Sequence, residues 1–199
     1  MAQGGTGLAW WLAVFAAVWT VVCRLIPYYY YDNPYEPSVW HWVPIGALCV
    51  FAGARLRQPA AFALPLAAMV VSDLLLIAPL AKIGYSAFGW GTPLRYGFLL
   101  VYFAGGWLIP ADRWAWGRTT AVLLLGGLPY FVVSNFLVWL GDTNAQMYSR
   151  DLAGLTACYV AALPFYKNTL LADGLYGAAL FGLHALGVLV TRPQSEASR

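Results

Sequence analysis

The sequence predicts an all-α, polytopic membrane protein, a bundle of six transmembrane helices, and three observations carry that prediction. Of 199 residues, 61% are hydrophobic and only 10% charged, with a mean hydropathy of +0.66. That composition leaves too little polar surface to coat a water-soluble domain of this length. Apolar runs recur at lengths fit to cross the hydrocarbon core, which takes about 20 residues for about 30 Å. Ten Trp and thirteen Tyr suit the two membrane interfaces, where amphipathic rings concentrate, and would equally suit the walls of a binding pocket.

The expected spans are 8–26, 42–54, 60–81, 94–109, 119–140 and 170–190, within one transmembrane domain covering 1–199 and ending in a short cytoplasmic tail, 191–199. The first run lacks the Lys/Arg-rich start and cleavage site of a secretory signal, so it is expected to stay as a span. Ala9, Ala13 and Ala17 repeat every fourth position in it. They give a smooth stripe for close approach of another helix, within the bundle or from a partner subunit. Arg24, near its outer end, is expected to snorkel outward. The second run is short, but Trp40-His41-Trp42 and Arg55-Leu56-Arg57 flank it as an aromatic anchor and a basic stop.

The third and fifth runs carry polar groups at membrane depth. Asp73 lies in Val70-Val71-Ser72-Asp73-Leu74 and Asn135 in Val133-Ser134-Asn135-Phe136. A central Asp costs roughly 2.5–3.5 kcal/mol on insertion scales and should face the bundle interior. Two roles are open for each residue: contact with a ligand, or an interhelical bond, which for Asp73 includes pairing with Arg24. In the last region an apolar helix over 152–163 meets Pro164 and then Lys167-Asn168-Thr169. This predicts a re-entrant or interfacial helix before a fresh span from about residue 170. Asn168 would cap that span and Asp173 would gain from its dipole. Lys167 has no such structural role, and an ammonium at a cleft mouth suits a carboxylate or phosphate.

Charge bias orients the chain. With both termini in the cytoplasm, Arg55, Arg57, Arg113, Arg118, Arg192 and Arg199 fall inside, while Lys82, Arg95, Arg150 and Lys167 fall outside among Asp32, Glu36, Asp142, Asp151 and Asp173, a bias that favours this orientation. The membrane is expected to be the inner or plasma membrane. Three long connections then face outward. The first runs Pro27-Tyr28-Tyr29-Tyr30-Tyr31-Asp32-Asn33-Pro34 and on to Trp40; the second runs from Lys82 through Trp90 to Arg95; the third runs from Gly141 to Asn168. Such loops either form an interfacial belt or build a ligand site walled by rings.

Other chemistry finds little support. Cys23, Cys49 and Cys158 are isolated in apolar stretches, and His41 and His184 each stand alone, so neither a metal site nor a cofactor is expected. The basic residues are scattered, which argues against nucleic acid as a partner. There is no Gly-x-x-x-x-Gly-Lys-Ser/Thr loop for ATP, and no nucleophile and base at a recognisable spacing, so an enzyme is not expected. The partner is the bilayer.

Several stretches resemble an uncharacterised bacterial membrane family that is described as a transport protein similar to the substrate-binding S components of energy-coupling-factor (ECF) transporters. They are Arg24-Leu25-Ile26-Pro27, Pro44-Ile45-Gly46-Ala47-Leu48, Phe51-Ala52-Gly53-Ala54, Ser72-Asp73, Ser134-Asn135-Phe136, and Ala162-Leu163-Pro164-Phe165-Tyr166-Lys167-Asn168-Thr169-Leu170 with Asp173. The resemblance implies a six-helix fold that captures a small nutrient, typically a vitamin, in a pocket formed by the loops after the first, third and fifth helices. It also implies that Ala9, Ala13 and Ala17 contact a transmembrane coupling subunit whose ATPases are separate chains. The function expected on these grounds is capture and translocation of a small organic molecule from outside. Lys167, Asn168, Asn135 and Arg95 would be its polar contacts, Tyr30, Tyr31, Trp40 and Trp90 its walls, and Asp73 and Asp173 further site residues. The alternative is a membrane scaffold whose aromatic loops dock another protein.

Overall fold

Seven α-helices and one 3-10 turn make up the described residues of a computed structural model, which are 3–31, 42–89, 91–111, 115–142 and 146–191. In chain order they are α1 (Gln3–Tyr30), α2 (Ile45–Arg55), the 3-10 turn (Pro59–Phe62), α3 (Ala63–Lys82), α4 (Thr92–Gly106), α5 (Trp116–Gly126), α6 (Leu128–Gly141) and α7 (Leu152–Val190). No strand occurs among these residues.

Four stretches, Gly5–Tyr30, Pro59–Lys82, Trp116–Gly141 and Leu152–Val190, are long and apolar enough to cross a membrane. The chain is a multi-pass membrane protein. Each expected span falls on helix, yet α2, with 11 residues, and α4, with 15, are short; at 1.5 Å per residue α2 reaches only roughly 16 Å. Between α5 and α6 the helix breaks at Gly127, and Pro129 opens the new helix, where its missing N–H costs nothing.

The expected break before the last span is corrected. A single 39-residue helix runs from Leu152 to Val190, straight through Pro164. Its length is roughly 58 Å, about twice the hydrocarbon thickness. Pro164 is exposed, and Pro27 and Pro79 are likewise carried inside α1 and α3. Asn168 is therefore mid-helix and caps nothing. The N-cap is Asp151, whose carboxylate accepts the Gly154 N–H at 2.8 Å, satisfying one of the donors a helix start leaves open.

Packing divides the bundle into a solid half and a hollow half. The solid half surrounds α2, all of whose residues except Ile45 are buried, as befits a helix apolar on every side. Phe51 of α2 meets Phe181 of α7 edge to face at 5.2 Å between centroids, and Ala9 and Ala13 of α1 are fully buried in the same core. Gly53 and Gly106 bring α2 and α4 together so closely that a Cβ at either would overlap the facing backbone, the close approach small residues permit in membrane bundles. At this end of the bundle His184 bonds the Gly5 carbonyl at 3.0 Å. Here too Arg55, Arg57 and Arg118 donate to the carbonyls of Pro110, Ile109 and Leu108 at 2.9–3.1 Å. The other half is hollow because α2 begins only part-way along α7, beside Asp173, and leaves the volume beyond Pro44 unfilled.

Candidate functional site: a polar-ended cavity in the hollow half

A cavity of about 550 Å³ occupies that half, within the size range of small-molecule sites. Helix α1 contributes Cys23, Arg24, Pro27 and Tyr28 to its wall, and the start of α2 contributes Ile45 and Gly46. Helix α4 adds Arg95, Phe98, Leu99 and Tyr102; α6 adds Tyr130, Phe131, Ser134 and Asn135; α7 adds Ala162, Phe165, Tyr166, Thr169 and Asp173. The rings hold one another in place: Phe131 stacks on Tyr166 at 4.5 Å and Phe98 meets Tyr130 edge to face at 5.4 Å, geometries that suit the ring quadrupoles.

One end of the cavity is cationic. Asp73 is 1% exposed and lies behind the wall, where its Oδ1 pairs with Arg24 Nη2 at 2.5 Å and its Oδ2 with Arg95 Nη2 at 2.7 Å. The Tyr96 hydroxyl donates to the same Oδ2 at 2.7 Å. Arg24 also donates to the Met69 carbonyl at 3.2 Å and to the Ser72 hydroxyl, and Arg95 to the Ala87 carbonyl at 3.1 Å. Helices α1, α3 and α4 are thus tied at membrane depth through one carboxylate. Arg24 does not snorkel outward, because a buried carboxylate within reach is a better partner than distant water.

The opposite end carries a buried carboxyl group. Asp173 accepts the Ala47 N–H at 3.1 Å through Oδ1 and the Tyr102 hydroxyl at 2.8 Å through Oδ2. Ala47 is in the first turn of α2, so the carboxylate of α7 faces the positive end of the α2 dipole and takes one of its open donors. This is where Asp173 gains from a helix dipole; its own helix starts more than five turns earlier, at Leu152. Gly46 makes room, since a Cβ there would overlap the carboxylate.

The cavity brings together Arg95, Asn135 and Asp173 of the residues expected to form a site. Asn135 donates its Nδ2 to the Phe131 carbonyl one turn back at 2.7 Å, and its side-chain oxygen makes no hydrogen bond among the described residues. Asp73 serves the cavity from behind, through the two arginines. Lys167 does not reach it. Its side chain is exposed, in an outer groove with Val160, Leu163, Pro164, Leu170 and Tyr166; of the two neighbours only Tyr166 also reaches the cavity. Asn168 is buried and is not part of the wall. Tyr30 and Tyr31, 82% and 48% exposed, lie at the end of α1 away from the wall; Trp40 and Trp90 lie outside the described residues. Ala9 and Ala13 are packed inside the chain, and Ala17 is part-buried against the core, so the stripe offers no open face to a partner.

Arg24, Tyr102, Tyr130 and Tyr166 enter the wall without having been singled out as contacts. Tyr102 and Tyr130 do carry a sequence signal, being hydroxyl-bearing rings inside expected spans rather than at their ends, whereas Tyr166 falls in the break expected before the last span.

A family model described as a family of unknown function, DUF6580, matches residues 6–194. No curated protein and no solved structure matches the chain.

Proposed function

We propose that this chain, which belongs to the DUF6580 family of unknown function, is a membrane protein that binds a small organic molecule in the cavity and passes it across the bilayer. The observation that carries the reading is the cavity itself: a space of about 550 Å³ walled by stacked rings, polar at both ends, over a solid half that closes it from below. Buried pockets with apolar walls and a few placed polar groups are the form small-molecule sites take. A scaffold held together only by its own interior bonds would be expected to fill that space.

Orientation follows from charge. Arg55, Arg57 and Arg118 lie at the solid end with Gly5, and basic residues favour the cytoplasm. The hollow half then faces outward, both termini are cytoplasmic, and capture is extracytoplasmic. In this reading the chain is a nutrient-binding subunit of the S-component type in an inner or plasma membrane, without ATPase activity of its own. Coupling to a transmembrane subunit with ATPases would need a surface other than the buried Ala9–Ala13 stripe.

The test is purification in mild detergent from cells grown on several media, followed by denaturation and mass spectrometry of released small molecules. One organic species in near-stoichiometric amount is expected. Its absence under every condition would defeat the reading.

A further inference from the structure

We infer that the ligand is an elongated organic anion, held by its charged group at the Arg24–Arg95 end and offering a hydrogen-bond donor to Asp173; this rests on the cavity being a small-molecule site. The first ground is charge count. Two guanidinium groups share one carboxylate, Asp73, so among the described residues this end of the cavity holds one positive charge in excess. A bound anion would match that charge.

The second ground is access. Asp73 is sealed behind the wall, whereas the Arg95 side chain is 32% exposed and lines the cavity. Its Nη2 is engaged with Asp73 and Ala87, and Nη1 makes no hydrogen bond among the described residues. Guanidinium donors suit carboxylate and phosphate oxygens, with bonds about twice as strong as neutral ones.

The third ground is the far end. Each Asp173 oxygen takes one donor and a carboxylate has roughly four acceptor positions, so a ligand O–H or N–H can still be received there. Arg95 and Tyr102, which mark the two ends on α4, are separated by seven residues, roughly 10 Å along the helix. Between them the wall is aromatic, with Phe98, Tyr130, Phe131 and Tyr166. The ligand class is therefore an organic anion with a flat or apolar body and a donor at the end remote from its charge.

Equilibrium dialysis of the full chain in detergent at pH 7 tests this with three probes of one shape: 4-hydroxyphenylacetate, its neutral amide and tyramine. The carboxylate is expected to bind at least about ten-fold more tightly than the amide, and more tightly than tyramine. Arg95→Gln should erase the preference and Arg95→Lys should keep part of it. The wild-type comparison decides even if Arg95→Gln fails to fold. Equal binding of carboxylate and amide, or tighter binding of tyramine, overturns the inference and leaves the cavity reading intact. If no probe binds, the net charge of the co-purifying molecule decides: an anion supports the inference, and a neutral or cationic species overturns it. No probe binding and no co-purifying molecule defeats the cavity reading itself.

Discussion

Asp173 of α7 accepts the backbone N–H of Ala47 at 3.1 Å, joining the middle of the 39-residue α7 to the first turn of the 11-residue α2. A helix that begins inside a bilayer must find partners for its open N–H groups, because water is absent there. Asp173 is that partner, and the depth at which it sits fixes where α2 starts and where the cavity ends. Asp173→Ala leaves the Ala47 N–H and the Tyr102 hydroxyl buried without their acceptor, and is expected to cost about 1–3 kcal/mol for each, read as a lower Tm in detergent. A Tm unchanged from wild type would contradict this role.

Gly46 is required by the same contact. Its Cβ would overlap the Asp173 carboxylate, so Gly46→Ala should destabilise by about 1–3 kcal/mol, the range for overfilled cores. Gly97 has open space around its Cα and serves as the control; Gly97→Ala should lack any such penalty. Thermal unfolding of the two variants in parallel checks the pair.

The triad around Asp73 is asymmetric. Removing the carboxylate strands two guanidinium groups, and Asp73→Ala is expected to cost roughly 3–5 kcal/mol, the range for breaking a buried pair from one side. Arg95→Ala should cost less, since Asp73 keeps Arg24 and Tyr96. Tm values in the reverse order would show that Arg95, rather than Asp73, organises the three helices.

Asp142 lies beyond the end of α6, and its carboxylate accepts the N–H groups of Gln146, Met147 and Tyr148 at 2.8–3.0 Å. These bonds favour the ionised form and hold its pKa below the usual value, with Tyr148 the largest contributor. Because the pKa in the folded loop is depressed, the ordering it supplies is complete above about pH 3.9, the unperturbed value. It is lost as pH falls through the lower folded value. The protection of the three amides against hydrogen exchange, relative to the intrinsic rate at each pH, should fall in acid, and Asp142→Asn should show low protection already at pH 7. Unchanged protection in that variant would refute the contact.

Lys167 and Tyr166 are neighbours in sequence and opposite in role. Only Tyr166 lines the cavity, so Lys167→Ala should leave a co-purifying ligand in place while Tyr166→Ala reduces it. Quantitative mass spectrometry of both variants against wild type distinguishes them.

The all-helical character and the positions of the apolar segments were legible in the sequence because lipid imposes one simple condition, about 20 apolar residues per crossing. The Asp73–Arg24 pair was legible as one of two open roles, since an interior acid seeks the base available at its depth. The role of Asp173 was not, because it depends on how far α2 extends along α7, a tertiary quantity with no local signature. Pro164 misled for a related reason. In water a central proline breaks a helix, but in a long membrane helix with an exposed proline face the alternative of free backbone groups in lipid is worse. Once α7 is continuous, Lys167 lies in the outer groove, and of the two neighbours only Tyr166 also reaches the cavity.

The central claim, that the hollow half holds a small molecule, is tested most directly by native mass spectrometry of the wild type beside Ala162→Trp. Ala162 is on the cavity wall, and an indole there fills the space without disturbing the solid half. The account predicts a bound-mass adduct on the wild type that is missing from a folded Ala162→Trp protein. An adduct kept by the filled variant would place the ligand elsewhere and contradict the account.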